Sequence, residues 1–503
     1  MPDQTFQISA LVVYFAVMIG IGWYAYRQTS DHEGYMLAGR QLPPGTAALS
    51  AGASDMSGWL MMGLPGAIYA AGLVEAWIAI GLTAGAYLNW RYVAPRLRSY
   101  TEVARNSITI PSFFENRLHD TSRSLRVASG AIVLVFFTFY VSSMLVAGGE
   151  FFGLAFGGSY LTGMLIVAVV TVAYTVIGGF LGASLTDVVQ GVMMMLALLV
   201  VPVVAIGAIG GPGETLAGVR EIDPARLSLL GGEALSATTL LGVVSAAAWG
   251  LGYFGQPHII VRFMAMRDAA SATAARRIGI SWMAVSLLGA VACGLVGIAF
   301  FHRTGNTLDN PELVVLAMSQ ILLHPLVVGF VFAAVLAAIM STVSSQLIVS
   351  SSAFVEDLYK VFGRETSPRT LMLLGRVCVV GVAVIAGLLA LDPSDTILDL
   401  VGFAWAGFGA SFGPAILLCL FWRRLTNWGA LTGMVAGAVT VFAWDSFGPE
   451  IAGTELYEII PGFAVNLLFA VVVSRLTWTA NEEIDREFDA AVEGSGARKA
   501  VAS

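Results

Sequence analysis

The chain has 503 residues, of which 57% are hydrophobic and only 12% charged, with a net charge of −7. A mean hydropathy of +0.80 over that length excludes an ordinary soluble domain and indicates a polytopic membrane protein. Basic clusters with interleaved aromatics are missing, so nucleic acid is not an expected partner.

Two lysines, Lys360 and Lys499, among 26 basic residues suggest a GC-rich bacterial genome, hence a bacterial plasma membrane. Cys293, Cys378 and Cys419 sit singly in apolar runs. They read as packing residues, with no disulfide or metal spacing. The N-terminus lacks a basic n-region: Asp3 precedes the first apolar run and Arg27 follows it. A cleaved signal is therefore not expected, and the first helix should start outside and end inside.

With about 20 apolar residues required per crossing, thirteen spans are expected. They cover 6–26, 44–72, 75–95, 124–152, 159–180, 186–209, 236–258, 276–301, 316–352, 370–391, 397–422, 427–446 and 457–477. The fifth and sixth are separated by a short turn around Gly182 to Thr186, and the long ninth run is expected to include a kinked or extramembrane end. This topology puts 23 of the 26 basic residues on the inner side, leaving Arg220, Arg226 and Arg303 outside. The asymmetry fixes an outer N-terminus and an inner C-terminus. Residues 1–477 form one transmembrane unit; 478–503 form a cytoplasmic tail that starts as an amphipathic helix and ends disordered. The inner segment 96–123 reads as an interfacial helix plus loop.

The second span is interrupted. Ser50-Ala-Gly-Ala-Ser-Asp55-Met-Ser-Gly-Trp59 places an acid at mid-membrane, flanked by glycines and serines. An ionised side chain there costs roughly 3 kcal/mol even on the lenient insertion scale. Small residues and glycine weaken the helix. A broken helix is expected, with freed carbonyls and hydroxyls lining a polar site. The seventh span repeats the theme in Trp249-Gly-Leu-Gly-Tyr-Phe-Gly-Gln-Pro257-His258. Two breaks five spans apart are the pattern of inverted repeats in a transporter, here 44–209 and 236–422. Trp249 and Tyr253 share a helix face. With Tyr140 of the fourth span they could wall an apolar solute; the plainer reading is packing or an interfacial belt. In the ninth span, the hydroxyls of Ser341 and Thr342 can gather near the Ala338 carbonyl. Such a neutral oxygen set suits a monovalent cation, although small hydroxyl residues also serve as helix–helix glue. Asp187 could cap the sixth helix or line an ion path. Arg40 could be a plain inner-side charge or a gate partner. His258 reads as structural. No P-loop, nucleophile triad or zinc spacing appears, so neither ATP hydrolysis nor other enzyme chemistry is expected.

These motifs resemble the sodium:solute symporter family. They are joined by Gly63-Leu-Pro-Gly66, Glu75-Ala-Trp-Ile-Ala-Ile-Gly81, Gly178-Gly-Phe-Leu-Gly-Ala, Met340-Ser-Thr342, Glu356-Asp-Leu-Tyr-Lys360, Ala404-Trp-Ala-Gly-Phe-Gly-Ala410 and Arg424-x4-Gly429-Ala430-x2-Gly433. The Ser-Ala-Gly-Ala-Ser-Asp-Met-Ser-Gly-Trp and Gly-Tyr-Phe-Gly-Gln-Pro-His strings point to its proline branch. The resemblance implies an all-α leucine-transporter-like fold and sodium-coupled uptake of L-proline. It assigns sodium to the carbonyls of Ala53, Met56 and Ala338 and the hydroxyls of Ser341 and Thr342, with Asp55 as an electrostatic contributor. It assigns the solute to Ser57, Gly58, Tyr140, Trp249, Tyr253 and Pro257, and gating or ion passage to Arg40 and Asp187. Departures are small: Ser345 stands where a relative has cysteine, and the 302–316 loop is shorter. Rival readings are a symporter for another small carboxylate such as pantothenate, a transporter-like sensor, or a channel. Beyond the lipid bilayer, no obligatory protein partner is expected.

Overall fold

In hydrocarbon every backbone polar group needs an internal partner, so apolar runs of this length fold as helices. A computed structural model describes residues 2–28, 37–362, 367–392, 395–448 and 456–496. The expected disordered end of the tail beyond Gly496, with Arg498 and Lys499, lies outside the described residues, as does Arg364.

In chain order the helices are α1 (Pro2–Gln28), α2 (Pro44–Asp55), α3 (Leu64–Ala71), α4 (Ala76–Leu88), α5 (Ala94–Val103), α6 (Ile110–Leu118), α7 (Ser124–Phe156), α8 (Tyr160–Ala208) and α9 (Pro212–Ile222). They continue as α10 (Ala237–Ala247), α11 (Pro257–Ala265), α12 (Ser271–Thr304), α13 (Val314–Leu322), α14 (Pro325–Ser352), α15 (Pro368–Leu389), α16 (Ile397–Phe421), α17 (Asn427–Phe447), α18 (Ile459–Thr477) and α19 (Glu482–Gly494). Among the described residues ten helical stretches are long and apolar enough to cross a membrane, by length and composition, and three shorter apolar helices accompany them. The expected thirteen crossings are therefore not what helix length alone gives.

The expected spans missing from the ten are 44–72, 75–95 and 159–180, and two helices differ in shape from a simple crossing. The long ninth run is two helices: α13 ends at Leu322, Leu323 is extended, and α14 begins at Pro325. The turn expected at Gly182–Thr186 is absent. Thr186 Oγ1 donates to the carbonyls of Gly182 and Ala183 at 3.0 and 2.9 Å, as in a helix. A straight α8 of 49 residues would be about 74 Å long. Yet the Tyr160 hydroxyl donates to Ala390 O at the end of α15 (2.7 Å), while Gly182 lies against Ala25 near the far end of α1. The following helix α9 returns to pack Gly218 on Ala299 and Arg303 at the end of α12. These contacts put the two ends of α8 toward one end of the bundle and Gly182 toward the other.

Prolines inside helices leave carbonyls that side chains recover. Pro414 removes the donor for Ala410 O in α16, and Asn466 Nδ2 of α18 donates to Ala410 O and Ser411 O, both at 2.7 Å. Pro202 does the same to Leu198 O in α8, which lies 3.7 Å from Cys293 Sγ. The three cysteines are free: Cys293 and Cys419 are buried and Cys378 is half-buried. The inner segment forms α5 and α6, the latter closed by a capping box between Thr109 and Ser112. The tail helix α19 does more than float: Phe488 is buried against Tyr100, with the guanidinium groups of Arg96, Arg117 and Arg423 each 5.0–5.5 Å from its ring.

Candidate cation and solute site

The expected break in the second span is present. Helix α2 stops at Asp55, Met56 leaves helical geometry (φ −77°, ψ 75°), and helical structure resumes at Gly58 into a wide turn at Trp59–Gly63. A helix end leaves four carbonyls without intrahelical partners; beyond the last i→i+4 bond, three of them, those of Ala53, Ser54 and Asp55, can be followed here. Gly52 O accepts from Met56 N at 2.8 Å. Ala53 O accepts from Ser341 Oγ at 3.1 Å, and Ser54 O accepts from Thr342 Oγ1 at 3.0 Å. Asp55 O accepts from Ser57 N (2.8 Å) and Trp59 Nε1 (3.0 Å), with the Tyr140 hydroxyl at 3.5 Å. Ser341 Oγ also reaches Ala338 O at 3.1 Å.

The structure therefore brings Ala53, Ala338, Ser341 and Thr342 into one oxygen cluster between α2 and α14. Ser54, which sequence reading left out, supplies the carbonyl facing Thr342. Met56 is buried and lines a small cavity beside the break with Asp55, Tyr253, Trp90 and Met283. The Asp55 carboxylate turns toward the seventh span, where the Tyr253 hydroxyl donates to Oδ2. Its Oδ1 is buried with no hydrogen-bond partner among the described residues.

The second break is also present. Residues Ala248–Phe254 form a 3-10 segment, Gln256 is extended, and α11 starts at Pro257. Its glycines are required by close approach more than by flexibility. A side chain at Gly85 would sit 2.1 Å from Gly250 O, one at Gly250 2.2 Å from Gly81 O, and one at Gly255 2.3 Å from Phe408 O. The open carbonyls are met by neighbouring helices. Asn89 Nδ2 donates to Tyr253 O (2.8 Å) and Trp405 Nε1 to Trp249 O (2.7 Å). Asn89→Ala leaves the Tyr253 carbonyl buried without its donor and is expected to cost about 1–3 kcal/mol. Thermal unfolding of the purified variant checks this, and an unchanged midpoint would refute the role of this bond.

The aromatic residues converge. Trp249 is 6.3 Å from Trp59, centroid to centroid, and the Tyr253 ring meets Trp405 edge-on at 5.1 Å. Ser57 is fully buried, and Gly58 is packed so that an added side chain would lie 3.1 Å from Ala147 Cβ. Pro257 opens α11 and borders an inner cavity with Val261, Ile348 and Asp357. His258 packs edge-on against Phe137 and Tyr140, and neither ring nitrogen has a hydrogen-bond partner among the described residues.

Arg40 and Asp187 lie apart from this centre and from each other. Arg40 is buried in a left-handed turn and donates to Thr101 Oγ1 (3.1 Å), Met264 O (3.0 Å) and Ser107 O (2.7 Å). It ties the start of the second span to the inner segment and to α11. Asp187 caps nothing, because α8 runs straight through it and is capped by Ser159. Asp187 Oδ2 instead accepts from Ser50 Oγ (2.7 Å) and Arg262 (3.2 Å). Arg262, one of the 23 basic residues that the expected topology puts on the inner side, is 1% exposed inside α11. It also donates to Ser50 Oγ (3.0 Å), Ser345 Oγ (2.8 Å) and His258 O. The available signal was its position one turn after His258, on a short helix instead of in a loop.

A family model described as the sodium:solute symporter family matches residues 35–437. The chain belongs to this family. It is 54% identical to the high-affinity proline transporter PutP of Bacillus subtilis (strain 168), covering 94% of this chain and 98% of that one. It is 50% identical to the osmoregulated proline transporter OpuE of the same organism (93% and 94% covered) and to the sodium/proline symporter of Staphylococcus aureus (strain JH9; 93% and 92%). Among solved structures it resembles a Na+-coupled sialic acid symporter in a substrate-bound outward-open state, with TM-score 0.78 and 17% identity, covering 95% of this chain and 99% of that chain. Mhp1, a nucleobase-cation-symport-1 family transporter, gives TM-score 0.53 at 15% identity, over 91% and 98% of the two chains. These likenesses show the fold, the leucine-transporter-like arrangement expected above.

Proposed function

We propose that this chain takes up L-proline across the bacterial plasma membrane by alternating access, driven by inward sodium. The observation that carries the reading is the broken second span. Its carbonyls at Ala53 and Ser54 face the hydroxyls of Ser341 and Thr342, and Oδ1 of the adjoining Asp55 carboxylate is buried with no hydrogen-bond partner among the described residues. Neutral oxygens backed by one uncompensated acid suit a hard monovalent cation. Sodium would be held by the Ala53, Met56 and Ala338 carbonyls and the two hydroxyls, joining α2 to α14. The proline carboxylate would meet Ser57 and Gly58 at the start of a half-helix, where the dipole favours an anion. Tyr140, Trp249, Tyr253 and Pro257 would enclose the pyrrolidine ring. Arg40 and Asp187 would act in gating or ion passage.

The names of relatives at 50–54% identity support proline over other solutes. In this reading the two five-helix repeats cover 44–209 and 236–422, thirteen crossings place the N-terminus outside, and the tail lies in the cytoplasm. The chain works as a transporter, not an enzyme. Each sodium entering down about 100 mV contributes roughly 2.3 kcal/mol.

Uptake of labelled proline into proteoliposomes tests this. Accumulation above equilibrium is expected only with an inward sodium gradient. Uptake indifferent to sodium would defeat the coupling, and stronger competition by pantothenate than by proline would move the substrate elsewhere.

A further inference from the structure

We propose that Tyr457 is a specificity-determining residue for solute, acting by fixing the plane of the Trp249 ring. The inference rests on the reading of Trp249 as a wall of the solute pocket.

The Trp249 ring is stacked on its flanks. Tyr457 lies 5.4 Å away at an interplanar angle of 21°, and Trp405 lies 6.4 Å away at 27°. Tyr457 is itself anchored. Its hydroxyl donates to Gly402 O at 2.7 Å, its backbone N–H donates to Ser245 Oγ at 3.2 Å, and the preceding Leu456 O accepts from Trp444 Nε1 at 2.9 Å. Gly402 is bare for a reason: an added Cβ would press on the Trp249 ring at 3.2 Å and lie 3.8 Å from the Tyr457 hydroxyl. Trp405 Nε1 meanwhile holds the Trp249 carbonyl. Both backbone and ring are therefore held, leaving the indole little freedom to tilt.

Tyr457 stands just before α18, beyond the end of the second repeat near residue 422. The segment leading into α18, outside the repeats of the proposed reading, thus reaches back to set one wall of the pocket. A rigid stacked wall discriminates by ring size, because an indole that cannot tilt gives no room to a larger saturated ring and does not close on a smaller one. The expected ligand class is five-membered cyclic secondary amino acids, preferred over four- and six-membered homologues.

The test is sodium-driven uptake in proteoliposomes by wild type, Tyr457→Leu, Tyr457→Phe and Trp249→Ala, with azetidine-2-carboxylate and pipecolate as competitors. Tyr457→Leu removes the stack and is expected to raise KM for proline by about three- to tenfold. Its maximal rate per reconstituted transporter should stay within about twofold, as for lost solute binding, and pipecolate should gain on azetidine-2-carboxylate. Tyr457→Phe keeps the ring but loses the Gly402 anchor, and is expected to relax the competitor order with a smaller KM change. If Tyr457→Leu does not insert, the competitor order of Tyr457→Phe decides. Wild-type KM and competitor order in the Tyr457 variants, with KM raised in Trp249→Ala, would overturn the proposal and leave the transport reading intact. An unchanged KM in Trp249→Ala would overturn the pocket reading, and the proposal with it.

Discussion

Ser341→Ala and Thr342→Ala are each expected to raise the sodium concentration for half-maximal proline uptake by roughly ten- to a hundredfold. A hydrogen-bonding oxygen facing a charged group contributes about 1.5–3 kcal/mol, and each 1.4 kcal/mol is about a factor of ten. The expectation follows from the accounting of the α2 end. Two of its four orphan carbonyls, at Ala53 and Ser54, meet only these hydroxyls in the described contacts. The same groups could serve packing alone, and the two roles separate cleanly. Loss of a ligand shifts the sodium dependence and leaves uptake recoverable at high sodium. Loss of packing lowers uptake at every sodium concentration. A sodium titration of initial uptake rates reads this directly, and an unshifted midpoint in both variants would remove the cation from this place.

The second large effect is expected at Arg262. Its guanidinium joins Ser50 of α2, Asp187 of α8, His258 of α11 and Ser345 of α14, all of them at least 90% buried. Removing one member of a buried ion pair leaves an uncompensated charge and costs about 3–5 kcal/mol. Arg262→Ala should therefore lower the thermal midpoint sharply. Replacing both partners with apolar residues of similar size is often neutral, so Arg262→Met with Asp187→Leu should recover much of that stability. Transport is expected to stay lost in the double variant, because in the proposed alternating-access cycle the four helices sharing this junction would have to shift against one another. A double variant as unstable as Arg262→Ala, or one with full uptake, would refute the assignment.

Particular residues show where sequence reading reached and where it stopped. Asp55 among glycines and serines announced a break, since neither the acid nor those neighbours suits a membrane helix. The Trp249–His258 string announced the second break. The partners across each break were less legible. The carbonyl of Ser54 is a backbone atom, and its place opposite Thr342 depends on how α2 and α14 cross. In the sequence Arg262 is one inner-side charge among many near span ends, and only packing shows it buried. Tyr457 carried no motif at all; its weight comes from the stacked ring beside it.

By itself the sequence determined the membrane class, the two breaks, the oxygen-rich step at Ser341 and Thr342, and membership in a transporter family. These are local properties: hydropathy, helix propensity and the chemistry of neighbouring residues. The tertiary structure alone decided which carbonyl meets which hydroxyl, that Asp187 pairs with Arg262, why Gly85 and Gly250 must lack side chains, and that Tyr457, just before α18, stacks on Trp249. Those are contacts between residues 75 to 288 positions apart. Helix crossing and side-chain packing create them, and no local pattern encodes them.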